Sequence, residues 1–255
     1  LDNLMVFTSL GRVHWLKVYT IPDVVRTSKG KSIANLLPLK SDENIAGILS
    51  VKTFEEGKNV LIVTERGVVK KTSLMAYSKP RQGGIIGLTI DENDRVIAAG
   101  LTDGSQDILM VTQNGFSIRF TEDEVRPIGR TGRGVRGIRL KEGDRVAGAC
   151  VIEPGTAILT VTNQGFGKRT QLEEYPVQGR GGKGVITIKC NKKIGSVIGV
   201  EQVIESDEIL VITSDGNIVR MRVNEISVIG RNTQGVRVVR LKDDNRVVCI
   251  EKLME

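Results

Sequence analysis

Glycines at 11, 67, 115, 165 and 216 each follow an apolar run, and a second set at 30, 84, 134, 184 and 235 closes a basic, glycine-rich loop. The second set is spaced by 54, 50, 50 and 51 residues. A third column, Asn44, Asp94, Asp144, Gly195 and Asn245, is spaced by 50, 50, 51 and 50. Three columns that keep one period constrain the fold more than any single motif. A unit of about fifty residues recurs five times, and units of this size bury by stacking the faces that one alone leaves open. Their approximate limits are 1–50, 51–101, 102–152, 153–204 and 205–255, read together as a single domain over 1–255.

The aligned units share a plan. An apolar run (LMVFT 4–8, VLIVT 60–64, ILMVT 108–112, ILTVT 158–162, ILVIT 209–213) leads into a turn with a fixed glycine (SLGR, ERGV, QNGF, NQGF, SDGN). Asn-Gly and Asp-Gly are hairpin signals because the turn requires positive φ. A second strand rich in cations follows (VHWLKV, VVKKTS, FSIRFT, FGKRTQ, IVRMRV). The basic loop then opens a third strand (GVRGIRL, GVITIKC, GVRVVRL), and the Asn/Asp column opens a fourth (DRVIAAGL, DRVAGACV, NRVVCIEK). Four short strands per unit without helical periodicity predict an all-β array of propeller-like, four-stranded blades. With five Phe, three Tyr and one Trp, the interior is expected to be aliphatic.

The net charge of +7 and a pI near 9.4 point to an acidic partner, nucleic acid before an anionic membrane. No stretch approaches eighteen consecutive apolar residues, and LDNLMVFTSLGRV lacks a signal-peptide layout, so a soluble intracellular chain without membrane contact is expected. Cys150, Cys190 and Cys249 are odd in number and far apart, and His14 is the one histidine; no metal site is expected, only free thiols.

Two segments match G-x-G-x-x-G, at Gly132, Gly134 and Gly137 and at Gly179, Gly181 and Gly184. The residues after them alternate like strands, whereas a dinucleotide fold needs a helix there. The GKS at 30–32 fails as a phosphate loop, because the first glycine of that motif would fall on Val25. Tyr77 and Tyr175 share a column with Ile21, Val125 and Ile226, which marks them as packing residues. With no histidine to serve a nucleophile and no isolated acidic pair, the chain by itself is not expected to be an enzyme.

The basic loops read TSKGKS (27–32), KPRQGG (79–84), GRTGRGVRG (129–137), QGRGGKG (178–184) and GRNTQGVR (230–237). Glycine lets backbone N–H groups approach a phosphate, and Arg and Lys supply charge. The candidate DNA-binding residues are Lys29, Lys31, Lys79, Arg81, Arg130, Arg133, Arg136, Arg180, Lys183, Arg231 and Arg237. Single-strand binders stack bases on exposed aromatics, which this chain has too few to supply, so the expected target is duplex backbone without base readout. Bending such a duplex by 40–90° costs of order 1–6 kcal/mol, which contacts in every unit would offset.

At these loops the sequence resembles the family of DNA gyrase A C-terminal domains over essentially its whole length. The stretches that carry the resemblance are GRVHWLKVYTIPD with SIANLLPL, GVRGIRLKEGDRV, GFGKRT, EYPVQGRGGKGVITIK and EISVIGRNTQGVRVVRL. The resemblance implies a β-pinwheel, a propeller-like ring whose neighbouring blades exchange strands and whose basic rim wraps duplex DNA. It implies a non-catalytic part of a bacterial, cytoplasmic, nucleoid-associated enzyme made of gyrase A and gyrase B polypeptides. The catalytic tyrosine then lies outside this chain, and ATP and Mg belong only to the full enzyme, with no cofactor in this domain. The family's Q-R-R-G-G-K-G box is matched by Gln178, Gly179, Arg180, Gly181, Gly182, Lys183 and Gly184, departing at Gly179. The chain's opening resembles a second blade, and five units stand against the family's usual six. Either a first blade with the full box lies outside this chain, or the fourth unit does part of its work. The equivalent domain of topoisomerase IV and a protein-binding propeller remain as alternatives.

Overall fold

The computed structural model describes residues 3–23, 25, 31–242 and 244–253. Among them every regular element is a β-strand or a short 3-10 turn. The first strands of the repeats are Asn3–Thr8, Asn59–Thr64, Asp107–Thr112, Ala157–Thr162 and Glu208–Thr213. The second strands are Arg12–Lys17, Val68–Ser73, Phe116–Thr121, Phe166–Gln171 and Ile218–Arg222. The fourth strands are Ile45–Val51, Val96–Thr102, Val146–Val151, Val197–Val203 and Val247–Leu253. In each repeat the first strand pairs antiparallel with both of the others. That central position explains the unbroken apolar runs, which are buried on both faces.

The third strands are only two residues long, Ile85–Ile86, Val135–Arg136, Val185–Ile186 and Val236–Arg237, and each joins the sheet of the preceding repeat. Val13 faces Ile85, Ser117 faces Val185 and Gly167 faces Val236. Four sheets therefore have four strands, with the edge strand supplied by the next repeat, and the last has three among the described residues. This exchange is what distinguishes the observed β-pinwheel from a propeller of self-contained blades. By internal contacts the structure divides into two compact units, residues 1–104 with 125–135, and residues 105–124 with 136–255. Each has its own core, mainly aliphatic with a few aromatic rings: Met5, Phe7, Ile62, Leu74 and Tyr77 in the first, and Leu109, Ile158, Tyr175, Val211 and Ile250 among others in the second.

The turn columns have direct physical causes. Thr8, Thr64, Thr112, Thr162 and Thr213 each accept the N–H of the turn glycine at 2.9–3.0 Å on their carbonyl oxygen. The hydroxyls of the first four also accept the N–H four residues on, at 3.2–3.3 Å. The Asn/Asp column ties the fourth strand to this turn. One oxygen of Asp94 accepts N–H groups of Arg66 and Arg95, and Asp144 does the same for Asn114 and Arg145. In the fourth repeat the roles swap: Asn163 in the turn supplies the oxygen to Ser196 N–H, and the column residue is Gly195. A Cβ on Gly195 would lie 1.9 Å from Asn163 Oδ1, which is why the column changes residue there.

The carbonyls of the turn glycines also dock the following repeat. Gly11 accepts from Gly87 and Leu88, Gly115 from Thr187 and Ile188, and Gly165 from Val238 and Val239. A Cβ on Gly115 would stand 2.1 Å from Ile188 O, whereas one on Gly216 would meet nothing within 4 Å, although both glycines have φ of +81°. Gly216→Ala should cost about 1–2 kcal/mol for the left-handed backbone alone. Gly115→Ala should cost clearly more, because it also pushes the next repeat's strand away. Denaturant unfolding of the two variants checks this; equal losses would mean that the docking contact carries no energy.

Candidate nucleic-acid interface

The loop glycines serve the strand exchange. Gly84, Gly134, Gly184 and Gly235 have φ of +71°, +87°, +71° and +74°, and a Cβ on any of them would strike the preceding repeat's second strand. The nearest atoms are a ring atom of His14 at 2.7 Å, Val69 O at 2.7 Å, Ser117 O at 2.1 Å and Gly167 O at 2.6 Å. Each of these four loops is thus seated on the second strand of the repeat before it, and the seat fixes where its cations go.

The predicted residues fall into two groups. Lys31, Lys79, Arg81, Arg133, Arg136, Lys183 and Arg237 are exposed. Arg133 makes an exposed ion pair with Asp91 at 2.9 Å, and Arg237 lies over the Phe166 ring at 5.1 Å. Ion pairs this exposed are worth about 0–1 kcal/mol, so Arg133 can exchange Asp91 for a phosphate at little cost. Arg130, Arg180 and Arg231 are half-buried, and each guanidinium donates to the second residue of the preceding loop's short strand. The acceptors are Ile86 O at 2.9 Å, Arg136 O at 2.5 Å and Ile186 O at 2.8 Å. These three arginines brace one loop against the one before. The loop at 79–84 is two residues shorter between Tyr77 and Gly84 than its counterparts and has no such arginine; there Arg12 donates to Gly83 O at 2.5 Å. Lys29 lies outside the described residues.

Within the box-like segment the backbone is already engaged. Gln178 N–H donates to Arg119 O and Gly181 N–H to Gly137 O, while Gly182 O accepts from Arg139. The N–H of Arg180 goes to a carboxylate oxygen of Glu124 at 2.8 Å, and that of Arg231 to Glu174 at 2.9 Å. Glutamates thus occupy these two N–H groups. Gly179 has open space around it, so an arginine side chain there would meet no obstacle. No helix follows either G-x-G-x-x-G segment; the first contains the two-residue strand Val135–Arg136 and the second leads into Val185–Ile186.

Sequence reasoning missed the interior cations. Lys70, Lys71, Lys168 and Arg169 of the second strands are buried, at 5% exposure or less. Lys70 Nζ donates to Gly87 O at 2.6 Å and to Arg130 O. Lys168 Nζ donates to Gly230 O and Arg231 O, both at 2.5 Å, and to Thr233 Oγ1 at 3.0 Å. Desolvation lowers both lysines to about 8, with Arg130 adding to it at Lys70 and Glu174 opposing it at Lys168. Arg119 pairs with Asp107 at 2.8 Å and donates to Leu172 O and Tyr175 O, and Arg169 donates to Ile226 O at 2.7 Å. The available signal was the aligned slot three residues after the turn glycine, where Lys70 and Lys168 share a column with Ile118 and Val219. Tyr77 and Tyr175 are buried packing residues, as their column predicts, and burial raises the Tyr77 hydroxyl to about 12. Cys150 is buried and Cys190 and Cys249 half-buried, all as free thiols.

Comparison with known proteins converges on one family. The family model described as the DNA gyrase C-terminal domain, beta-propeller, matches residues 2–52, 58–103, 106–152, 156–204 and 207–249, five segments that coincide with the five repeats. The chain is 54% identical over 254 residues to the DNA gyrase A polypeptide of Buchnera aphidicola subsp. Acyrthosiphon pisum, 46% to that of Salmonella typhimurium and 44% to that of Escherichia coli. All of this chain is covered in each, and it spans about three tenths of those relatives' length, 29–31%. Among solved structures it is similar to the C-terminal domain of DNA topoisomerase IV, with TM-score 0.88 and 30% identity, covering 99% of this chain and 79% of that one. It is also similar to a DNA gyrase A C-terminal domain, with TM-score 0.86 and 25% identity, covering 99% and 83%. The chain, with its five repeats and exchanged strands, belongs to the family of DNA gyrase C-terminal domains.

Proposed function

We propose that this chain is a non-catalytic module that binds duplex DNA through its phosphate backbone and bends or wraps it, as one β-pinwheel domain of a gyrase A polypeptide. The observation that carries the reading is the recurrence of exposed cations at the same loop in successive repeats: Lys31, Lys79 and Arg81, Arg133 and Arg136, Lys183, and Arg237. These loops also carry the box-like segment Gln178–Gly184, here with Gly179 as its departure. A net charge of +7 adds a long-range attraction for a polyanion. The scarcity of available aromatics favours duplex over single strand: among the described residues Tyr19 is the one exposed aromatic, Tyr77 and Tyr175 are buried, and Phe116 and Phe166 are covered by Lys141 and Arg237.

In this reading the partners are duplex DNA, the remainder of the gyrase A polypeptide and gyrase B, in the bacterial cytoplasm. ATP, magnesium and the catalytic tyrosine belong to the rest of that enzyme. The structural likeness to a topoisomerase IV domain supports a second reading, in which the module directs its enzyme to DNA without imposing a handed wrap. No helix of the described residues is long and apolar enough to cross a membrane.

Two measurements test this. If the loops neutralise roughly 6–10 phosphates, duplex affinity should fall about 10³–10⁵-fold between 50 and 200 mM salt; a shallow dependence would favour a protein-binding role. Bound to relaxed circular DNA that is then treated with a nicking-closing enzyme, the chain should leave a change in linking number of one sign. Tight binding without such a change would support the topoisomerase IV-like reading instead.

A further inference from the structure

Lys70 and Lys168 occupy the same place in their repeats, three residues after the turn glycine, and each lies under the basic loop of the next repeat. The equivalent residues elsewhere are His14, Ile118 and Val219. Loop 178–184 thus rests on a methyl, with Ile118 Cδ1 3.4 Å from where a Cβ on Gly182 would be, whereas loops 129–134 and 229–235 hang on an ammonium group. An ammonium has three donors and no acceptor. Lys168 spends all three on its loop, at Gly230 O, Arg231 O and Thr233 Oγ1. The geometry turns these carbonyls inward at the point where Arg231 braces Ile186 and shortly before Arg237 leaves the loop exposed. Lys70 does the same at Arg130 O, ahead of exposed Arg133.

We propose that Lys70 and Lys168 are positioning residues for DNA binding: buried cations that touch no phosphate but hold two of the basic loops in the shape that presents Arg133 and Arg237. The proposal rests on the reading of the loops as DNA-binding. The charged groups facing Lys168 are Glu174 and Arg231, and the one facing Lys70 is Arg130; the Tyr77 hydroxyl donates to the same Gly87 carbonyl that Lys70 uses. Both ammonium groups are lowered to about 8, so they titrate in an accessible range. A bound polyanion favours the protonated form, so binding takes up protons there. Affinity then falls as pH rises through about 8, by up to about tenfold per lysine over two pH units.

The test uses the full chain, a mixed-sequence duplex at fixed salt, and the variants Lys70→Met, Lys168→Met and Lys168→Gln. Lys168→Gln keeps a neutral donor, guarding against a variant that fails to fold. The expected results for wild type are a loss of affinity between about pH 7 and about pH 9, and protected amides at Arg231 and Thr233 by hydrogen exchange. The Met variants should bind about tenfold more weakly at neutral pH. Lys168→Met should expose those amides, and Lys168→Gln should flatten its share of the pH profile. Unchanged affinity, protection and pH profile in folded variants would overturn the proposal alone. A wild-type chain that does not bind duplex at all would overturn the DNA reading and the proposal with it.

Discussion

The structure depends on one contact made repeatedly: in the second to fifth repeats the basic loop and short strand lie on the second strand of the repeat before. Two kinds of interaction make this seat. Backbone meets backbone where a loop glycine at positive φ leaves no room for a Cβ, as at Gly184 over Ser117 O. Cation meets carbonyl where Lys70, Lys168, Arg119 and Arg169 donate from the strand into the next repeat's loop or the segment ahead of it. A buried ammonium or guanidinium is tolerated only when its donors are taken, and loop carbonyls are what this fold has to offer. Removing one side of such an arrangement leaves the other buried and unpaired, which costs about 3–5 kcal/mol for a charge. The seam is therefore specific, and it links each repeat to its neighbour in sequence.

The same seat divides the positive charge of the chain by role. Lys70, Lys71, Lys168 and Arg169 of the second strands are buried, arginines at 130, 180 and 231 reach sideways to the preceding short strand, and the other described candidate loop cations are exposed. A loop that must present charge to a flexible polyanion gains from being held, because less ordering is left to do on binding. Glu124 and Glu174 fit this division. They cap the N–H groups of Arg180 and Arg231 and so stabilise the loops.

Much of this was legible in the sequence, and the part that was not has a physical reason. The period, the Thr-x-x-Gly turns and the apolar central strands follow from local chemistry: a hydroxyl within reach of its own turn, a glycine where φ is positive, a strand buried on both faces. Gly195 could be placed in its column but not explained, since its cause is the side chain of Asn163, thirty-two residues earlier in the chain. Strand exchange came only from the family resemblance, because a two-residue strand such as Val185–Ile186 reads identically whichever sheet it joins. The cations were the hardest case. Recurrence at equivalent positions says that Arg130, Arg180 and Arg231 share an environment, and it is silent on whether that environment is solvent or a carbonyl. Lys168 illustrates the limit most clearly, since GFGKRT reads only as a cation-rich strand and folds with Lys168 and Arg169 buried.

The central claim is that cations of one motif divide into those that hold the loops and those that meet DNA. It is tested most directly by measuring unfolding free energy and the salt dependence of duplex binding in parallel on two variants. One replaces Arg130, Arg180 and Arg231 with Ala; the other replaces Lys79, Arg81, Lys183 and Arg237. The account predicts that the first loses stability, by about 1–3 kcal/mol for each buried hydrogen bond left open. The second should stay within about 0.5 kcal/mol of wild type while its log–log salt slope falls by about 3–4, close to 0.9 per phosphate contact removed. A second variant that unfolds more readily yet keeps its full salt slope would contradict the division.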